Sequence, residues 1–359
     1  MSYVCRENTA WYHPYMADTP SSHRQESSVP TVVAVTITHG HRWQFLQQVV
    51  AVVLADSHIS RFIIVDNGSQ DSADIHTGTA SYGDRIRIVT NPKNLGSAGG
   101  FGKGIEAARE EVADYVLLLD DDSVPEDNFV EKYYAAQMIV QDPHAVIAGM
   151  RSNVGDAKDF FYPRFLYPPS WYRKTFFEVF SVRKAKRWFR RVLFGTTGDA
   201  FVPLLPVKAF VYGGAFLPME AIRKAPLPDA TLFLYGDDID YAWGVGDLGY
   251  AIYATATPFL HDVDMTFPGS HITGLFDENV PVWKVYYRLR NMVRLSVKHK
   301  AQNKIALLIN VCVWFAALLV IGLWHTRGQS RYWERASIIV EALRAGYDTT
   351  RAVPSSAVI

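Results

Sequence analysis

The sequence predicts an α/β protein, a doubly wound and mostly parallel sheet followed by a helical C-terminal region. Three observations lead there. Strand-like and helix-like runs alternate from Thr31 to Ser123, a glycine-rich stretch sits between a strand and a helix, and acidic residues stand where strands should end.

TVVAVTIT, beginning at Thr31, is β-branched and apolar and reads as the first strand. Apolar residues from Trp43 to Leu54 recur at helical spacing, and RFIIVDNGS supplies a second strand. RIRIVTN is the third. NLGSAGGFGKG, with glycines at 96, 99, 100, 102 and 104, reads as a loop leading into the helix former IEAAREEV, and YVLLLDDDS is a fourth strand that stops at three aspartates. Residues 156–210 are rich in aromatics and proline and contain RKAKRWFRR, where six of the nine residues from Arg183 to Arg191 are basic. VYGGAFLP reads as a strand or turn, and LFLYGDDIDYAWGVGDLGYAIYAT as an acidic turn, a helix and a strand. VWKVYYRLRNMVRLSVKH is helical. It precedes the uncharged run Ile305 to Trp324, whose 20 residues would reach about 30 Å as a helix, near the thickness of a hydrocarbon core. The organisation expected is a polar leader over 1–30, an α/β unit over 31–280 and a helical region over 281–359.

Composition narrows the function. With 359 residues, 49% of them hydrophobic and 20% charged, the chain can bury a large core, which excludes a disordered protein. Lys plus Arg and Asp plus Glu are 36 each, so no nucleic-acid partner is expected. Two cysteines, Cys5 and Cys312, give neither a disulfide framework nor a zinc knuckle, which suits a reducing cytosol. The leader has acids at Glu7 and Asp18 and no apolar core, so it does not read as a signal peptide.

Asp120, Asp121 and Asp122 at the end of a buried strand would repel one another unless a cation neutralised them, so a divalent metal carrying a diphosphate suits the cluster. The alternative is a capping box of Ser123 and Glu126 with the aspartates charging a helix start. Asp66, closing the second strand, could accept hydrogen bonds from a ribose or base, or form only an Asx-type turn. Gly99 and Gly100 would let the backbone approach a ligand, with Asn94 beside them. Asp237, Asp238 and Asp240 form a second acid cluster able to supply a general base, although Asp240 could simply charge a helix start. His261 ends a strand-like run and could ligate a metal or be an ordinary polar residue. A dehydrogenase is excluded, because no G-x-G-x-x-G follows the first strand.

In order, TVVAVTIT, IIVDNGSQD, NPKNLGSAGGFGKGI, LLLDDDSVPE, YGDDIDY and YYRLRN resemble the motifs of a family 2 glycosyltransferase of the GT-A fold, in its galactofuranosyl- and rhamnosyltransferase-like branch, over roughly Thr31 to Lys300. The resemblance implies that Asp66, Asn94, Gly99, Gly100, Asp120 and Asp121 contact the donor nucleotide. It further implies that Asp120, Asp122 and His261 bind Mn or Mg, and that Asp238, with Asp237 beside it, is the base. Thr38-His39-Gly40-His41-Arg42 departs from the tyrosine-asparagine-arginine usual after the first strand, and Trp243-Gly244 from the leucine-arginine expected after the acidic motif. The expected activity is inverting transfer of a galactofuranose- or rhamnose-class sugar from a UDP- or dTDP-linked donor to a polyprenyl-linked or cell-envelope glycan. A catalytically silent nucleotide-binding scaffold is the competing expectation. The apolar run and Phe176 to Phe194 suggest the cytoplasmic face of a membrane, held peripherally or by a single C-terminal span.

Overall fold

The structure, a computed structural model, describes residues 30–152, 203–264, 275–277, 279–300, 304–327 and 330–348. The leader and the basic aromatic stretch Phe176 to Phe194 lie outside the described residues.

The expected α/β alternation is present from the first strand onward: β1 (Val32–Thr38), α1 (Trp43–Ala55), β2 (Ile59–Asn67), α2 (Ser72–Thr79), β3 (Ile86–Asn91), α3 (Gly96–Ala108) and β4 (Tyr115–Asp120). These four strands run parallel in the order β3-β2-β1-β4. Because helices cover both faces, the central strands β1 and β4 are mostly apolar and alternate residues serve different cores. Val32, Ala34, Leu117 and Leu119 join the α1 side with Leu46 and Val49, while Val33, Val35, Val116 and Leu118 join the α3 side with Phe101 and Ile105.

Beyond β4 the sheet becomes mixed. The chain adds β5 (Ser123–Pro125), α4 (Phe129–Val140), β6 (Val146–Arg151), β7 (Leu204–Val207), β8 (Ala215–Pro218), α5 (Met219–Lys224), α6 (Asp237–Asp247) and β9 (Ile252–Asp262). β8 lies antiparallel to β4 and to β6, and β9 pairs parallel with β6 but antiparallel with β5 and β7. The sheet is therefore wholly parallel up to Asp120 and mixed beyond it, since strand direction is set by distant partners that a local pattern does not reveal.

The glycine-rich stretch also differs from its expected form: it is the first half of α3 rather than a loop. Its glycines let the helix press on β1. A Cβ at Gly104 would stand 2.5 Å from Val35 Cγ1, and one at Gly100 would stand 3.1 Å from Ile37 Cδ1.

At the C-terminal end, α7 (Val282–Leu295) continues through a π-helical turn, Ser296–Lys300, to α8 (Lys304–Thr326) and α9 (Ser330–Tyr347). Tyr286, Val293, Leu318 and Ile339 build a separate core among these helices.

Candidate active site

From β1 the chain turns to one side for β2 and β3 and then returns to the other side for β4, making the edge beyond these strands a topological switch point. Thr38 stands opposite Asp66 there, and Ile37 opposite Asp120. Asp120 ends β4, and Asp121 and Asp122 follow as the chain turns into β5. The capping-box alternative fails. Ser123 is in β5 and donates to Asp262 Oδ1 at 2.8 Å, and α4 begins only at Phe129.

Two arginines neutralise this carboxylate group. Arg42 Nε donates at 2.9 Å to Asp121, which also accepts from Thr38 Oγ1 at 2.7 Å; its two other nitrogens reach Asp122 at 2.7 Å and Asp264 at 2.9 Å. Arg151, at the end of β6, lies 3.3 Å from Asp120 Oδ2 and 3.4 Å from Asp262 Oδ2. Burial still outweighs the arginines, pushing Asp120 up to about 6 and Asp121 up to about 7, and it raises Asp122 as well. Asp121 is enclosed by Thr38 and Arg42, so its place is structural as well as electrostatic. Asp120 keeps 35% of its side chain open to solvent.

The second acid cluster stands beside the first. Asp237 and Asp238 open α6, and Asp238 lies close enough to Asp120 for their charges to oppose each other. Burial is the main cause that pushes Asp238 up to about 6; burial followed by the charge of Asp238 pushes Asp237 up to about 7, while Ser97 Oγ donates to Asp237 at 2.8 Å. Asp240 differs. Burial disfavours its charge, but His299 and Lys298 outweigh that and hold it below the usual carboxylate range, with Lys298 Nζ at 2.8 Å. A carboxylate already paired with a lysine and a histidine is a poor proton acceptor.

The loop that delivers α6 is strained and clamped. Phe233 (φ 64°) and Tyr235 (φ 68°) are left-handed, a conformation that costs a residue with a side chain about 1–2 kcal/mol. Arg290, from α7, donates to the carbonyls of Thr231 at 2.9 Å and Leu232 at 2.7 Å. Asn291 Nδ2 lies 2.8, 2.7 and 2.9 Å from those of Leu232, Leu234 and Tyr235. On the other side Phe233 O accepts from Ala98 N at 3.1 Å, which ties the loop to the start of α3. Gly96 has to be glycine, because φ is +70° there and a Cβ would overlap the Phe233 carbonyl.

Asp66 is 1% exposed. Its Oδ1 accepts from Ser69 N at 2.8 Å, the Asx-type turn weighed above, while its Oδ2 is buried with no hydrogen-bond partner among the described residues. An acceptor buried in that state is what a ligand donor would satisfy. Asn94 Oδ1 accepts from Gly96 N at 2.8 Å and from Asn67 Nδ2 at 3.1 Å, so it braces the start of α3. Gly99 and Gly100 lie within that helix, and the nearest atoms a Cβ at Gly99 would meet belong to Leu95, which precedes the helix as its cap.

His261 is brought into neither cluster. It is exposed, and strand alternation puts it on the face of β9 opposite Asp262, the residue that meets Arg151 and Ser123. Sequence reading missed Asp262, Asp264, Arg151, Asn67 and Ser97 as members of this region. A faint signal was available for the first two, since acids recur in HDVD at the end of a strand.

An edge that joins an acid-ended strand, a second acid pair and an unpartnered buried acceptor suits a nucleotide ligand. Residues 33–201 match the family described as Glycosyl transferase family 2. That stretch of the chain resembles a family 2 glycosyltransferase domain. Its parallel strands β1 to β4 with intervening helices agree with the α/β class expected from the motifs. The chain is 26% identical over 219 residues to galactofuranosyltransferase GlfT1 of Mycobacterium tuberculosis, covering 58% of this chain and 62% of that protein. It is 26% identical over 217 residues to GlfT1 of Mycolicibacterium smegmatis (58% and 63%), and 23% identical over 265 residues to GlfT2 of that organism (68% and 37%). The chain thus spans less than two thirds of the length of these relatives. Two solved structures align at TM-score 0.49 and 13% identity: GalNAc-T7 with UDP, GalNAc and Mn2+ (76% of this chain, 48% of that one), and the mannosyltransferase PcManGT from Pyrobaculum calidifontis with GDP-Man and Mn2+ (92% and 79%).

Proposed function

We propose that residues 31–280 catalyse inverting transfer of a sugar of the galactofuranose or rhamnose class from a UDP- or dTDP-linked donor to a hydroxyl of a lipid-linked or cell-envelope glycan. The observation that carries this reading is the meeting of the two acid clusters, Asp120–Asp122 and Asp237–Asp238, beside Asp66 at the switch point.

Asp238 is the proposed base. Pushed up to about 6, it is ionised at neutral pH yet more basic than an ordinary carboxylate, which suits it to take a proton from an acceptor hydroxyl. That oxygen forms its bond to the anomeric carbon as the bond from the carbon to the diphosphate oxygen breaks on the opposite face, so configuration inverts. Asp237 beside it stays partly protonated and lowers the local repulsion. Asp66 Oδ2 would accept from the nucleoside.

Mn or Mg suits the donor set, which is all carboxylate oxygen and partly desolvated, although among the described residues no three ligating groups converge on one point as they stand. Asp120 and Asp122 would hold the ion, which would neutralise the departing diphosphate. His261 stays the proposed third ligand from the motif, and Asp262 is the better placed rival. Comparing Mn2+ affinity in His261→Ala and Asp262→Ala decides between them.

The membrane surface is the proposed location, reached through the apolar helix α8 and facing the cytoplasm. The activity is tested by presenting a panel of nucleotide sugars to purified protein with Mn2+ and scoring nucleoside diphosphate release. Release from one or more donors, lost in Asp120→Ala and Asp122→Ala, is expected. No release from any donor would favour a silent nucleotide-binding scaffold.

A further inference from the structure

Helix α8 is two-sided in a way its composition does not reveal. Leu307, Val311, Leu318, Gly322 and Thr326 form one buried stripe along its whole length, docked on the C-terminal helical core. The fit is close at its end, where a Cβ on Gly322 would collide with the ring of Phe276. The opposite stripe runs through Ile305, Ile309, Cys312, Ala316, Val320 and Leu323, spaced by steps of three and four, and is exposed throughout. Ile305 is 71% exposed, Val320 69% and Trp324 86%, and only 28% of the span Leu307–Trp324 is buried. A core helix of a soluble protein would be mostly buried, and a continuous apolar stripe of this length is not left in water.

The charge around the helix identifies what covers the stripe. From Asn279 to Trp333 the chain carries nine lysines and arginines and no aspartate or glutamate, in a protein whose net charge is zero. Cations flank α8 at both ends, and Trp324 and Trp333 stand exposed at its C-terminal end, where amphipathic rings favour a headgroup boundary. The neighbouring helix α9 turns Glu334, Glu341 and Arg344 outward to solvent. Lipid around every side of α8 would desolvate that neighbour, whereas lipid on the exposed side alone leaves it wet.

Building on the membrane location proposed above, we infer that α8 lies in the plane of an anionic lipid surface. The Ile305–Leu323 stripe sinks into the acyl boundary, and both helix ends stay on the same side. At 23 residues α8 is about 34 Å long, enough to span, so the distinction is one of orientation.

Two measurements on the full chain test this. The first is flotation with phosphatidylcholine vesicles, with and without phosphatidylglycerol. Binding to the anionic vesicles is expected, weakened by salt and reduced at least tenfold in Ile309→Glu and Val320→Glu, which place charge on the exposed stripe and leave the docked one intact. The second uses a Cys5→Ser, Cys312→Ser background carrying Lys304→Cys or Arg327→Cys. In inside-out membrane vesicles of an expressing bacterium, an impermeant maleimide should label both positions before detergent is added. A position shielded until detergent means a span and overturns the inference, as does protein that ignores both kinds of vesicle. Self-association that Val320→Glu disperses, without vesicle binding, would assign the stripe to a second copy and also overturn it. Nucleoside diphosphate release by the same soluble samples reports separately on the transferase reading.

Discussion

Asn291→Ala should expose how the acid helix α6 is held. The Asn291 amide is 1% exposed and lies within 2.9 Å of the carbonyls of Leu232, Leu234 and Tyr235, and its own oxygen accepts from Arg290 Nε at 2.9 Å. Two amide hydrogens give two bonds' worth of donation, about 1 kcal/mol each, and alanine also leaves buried carbonyls and a guanidinium N–H unpaired at a further cost of about 1–3 kcal/mol. Relaxation of Phe233 and Tyr235 out of their left-handed conformations returns about 1 kcal/mol or more, and it does so by moving the loop that carries Asp237 and Asp238. The net expectation is a loss of about 2–4 kcal/mol, read as a lower urea midpoint at unchanged slope. Transfer at saturating substrates should fall at least tenfold, with the donor KM within a few-fold of the parent, because the loop positions the proposed base and not the carboxylates proposed to hold the metal. Asn291→Asp retains size and the acceptor for Arg290 but turns oxygen toward oxygen, so it should fare no better. A variant within about 0.5 kcal/mol of the parent at full rate would refute the clamp.

Other outcomes follow from the same geometry. Asp238→Asn should keep donor affinity and lose transfer, which isothermal titration and a transfer assay together resolve; transfer within a few-fold of the parent would move the role of base to Asp237. Since Asp238 must be ionised to accept a proton and lies near 6, the transfer rate should rise through about pH 6 and level off above it, and a flat profile from pH 5 to 8 would exclude it. Asp237 and Asp238 keep their protons to higher pH folded than unfolded, so their contribution to stability is greatest below about pH 4 and is lost as pH rises through about 6 and 7. Urea midpoints of the parent and of Asp237→Asn across that window check the sign. Gly104→Val should lower the melting temperature sharply, because its Cβ already stands 2.5 Å from Val35 Cγ1 and overpacking typically costs about 1–3 kcal/mol.

Much of the first half of the chain was legible because its signals are local. Apolar runs such as VVAVTIT and YVLLLD are buried on both faces wherever their neighbours lie, and a helix such as Trp43–Ala55 declares itself by its spacing. The aspartates at 120–122 and 237–238 were likewise visible as candidates, since acids directly after a buried strand or at a helix start require a reason.

What only the tertiary structure decided is which groups meet. The glycines from Gly96 to Gly104 read as a loop because their helix propensity is poor, yet packing on β1 makes them a helix. Asp240 and Asp238 are two residues apart and chemically alike, but one is held by Lys298 and His299 while the other feels the charge of Asp120. His261 and Asp262 are adjacent, and the two-residue period of a strand sends them to opposite faces. The sequence alone determined the composition of each element and the acids it carries, because propensity and burial act over a few residues. Partners, strand direction and the exposed side of α8 come from contacts between residues tens or hundreds of positions apart, which no local pattern encodes.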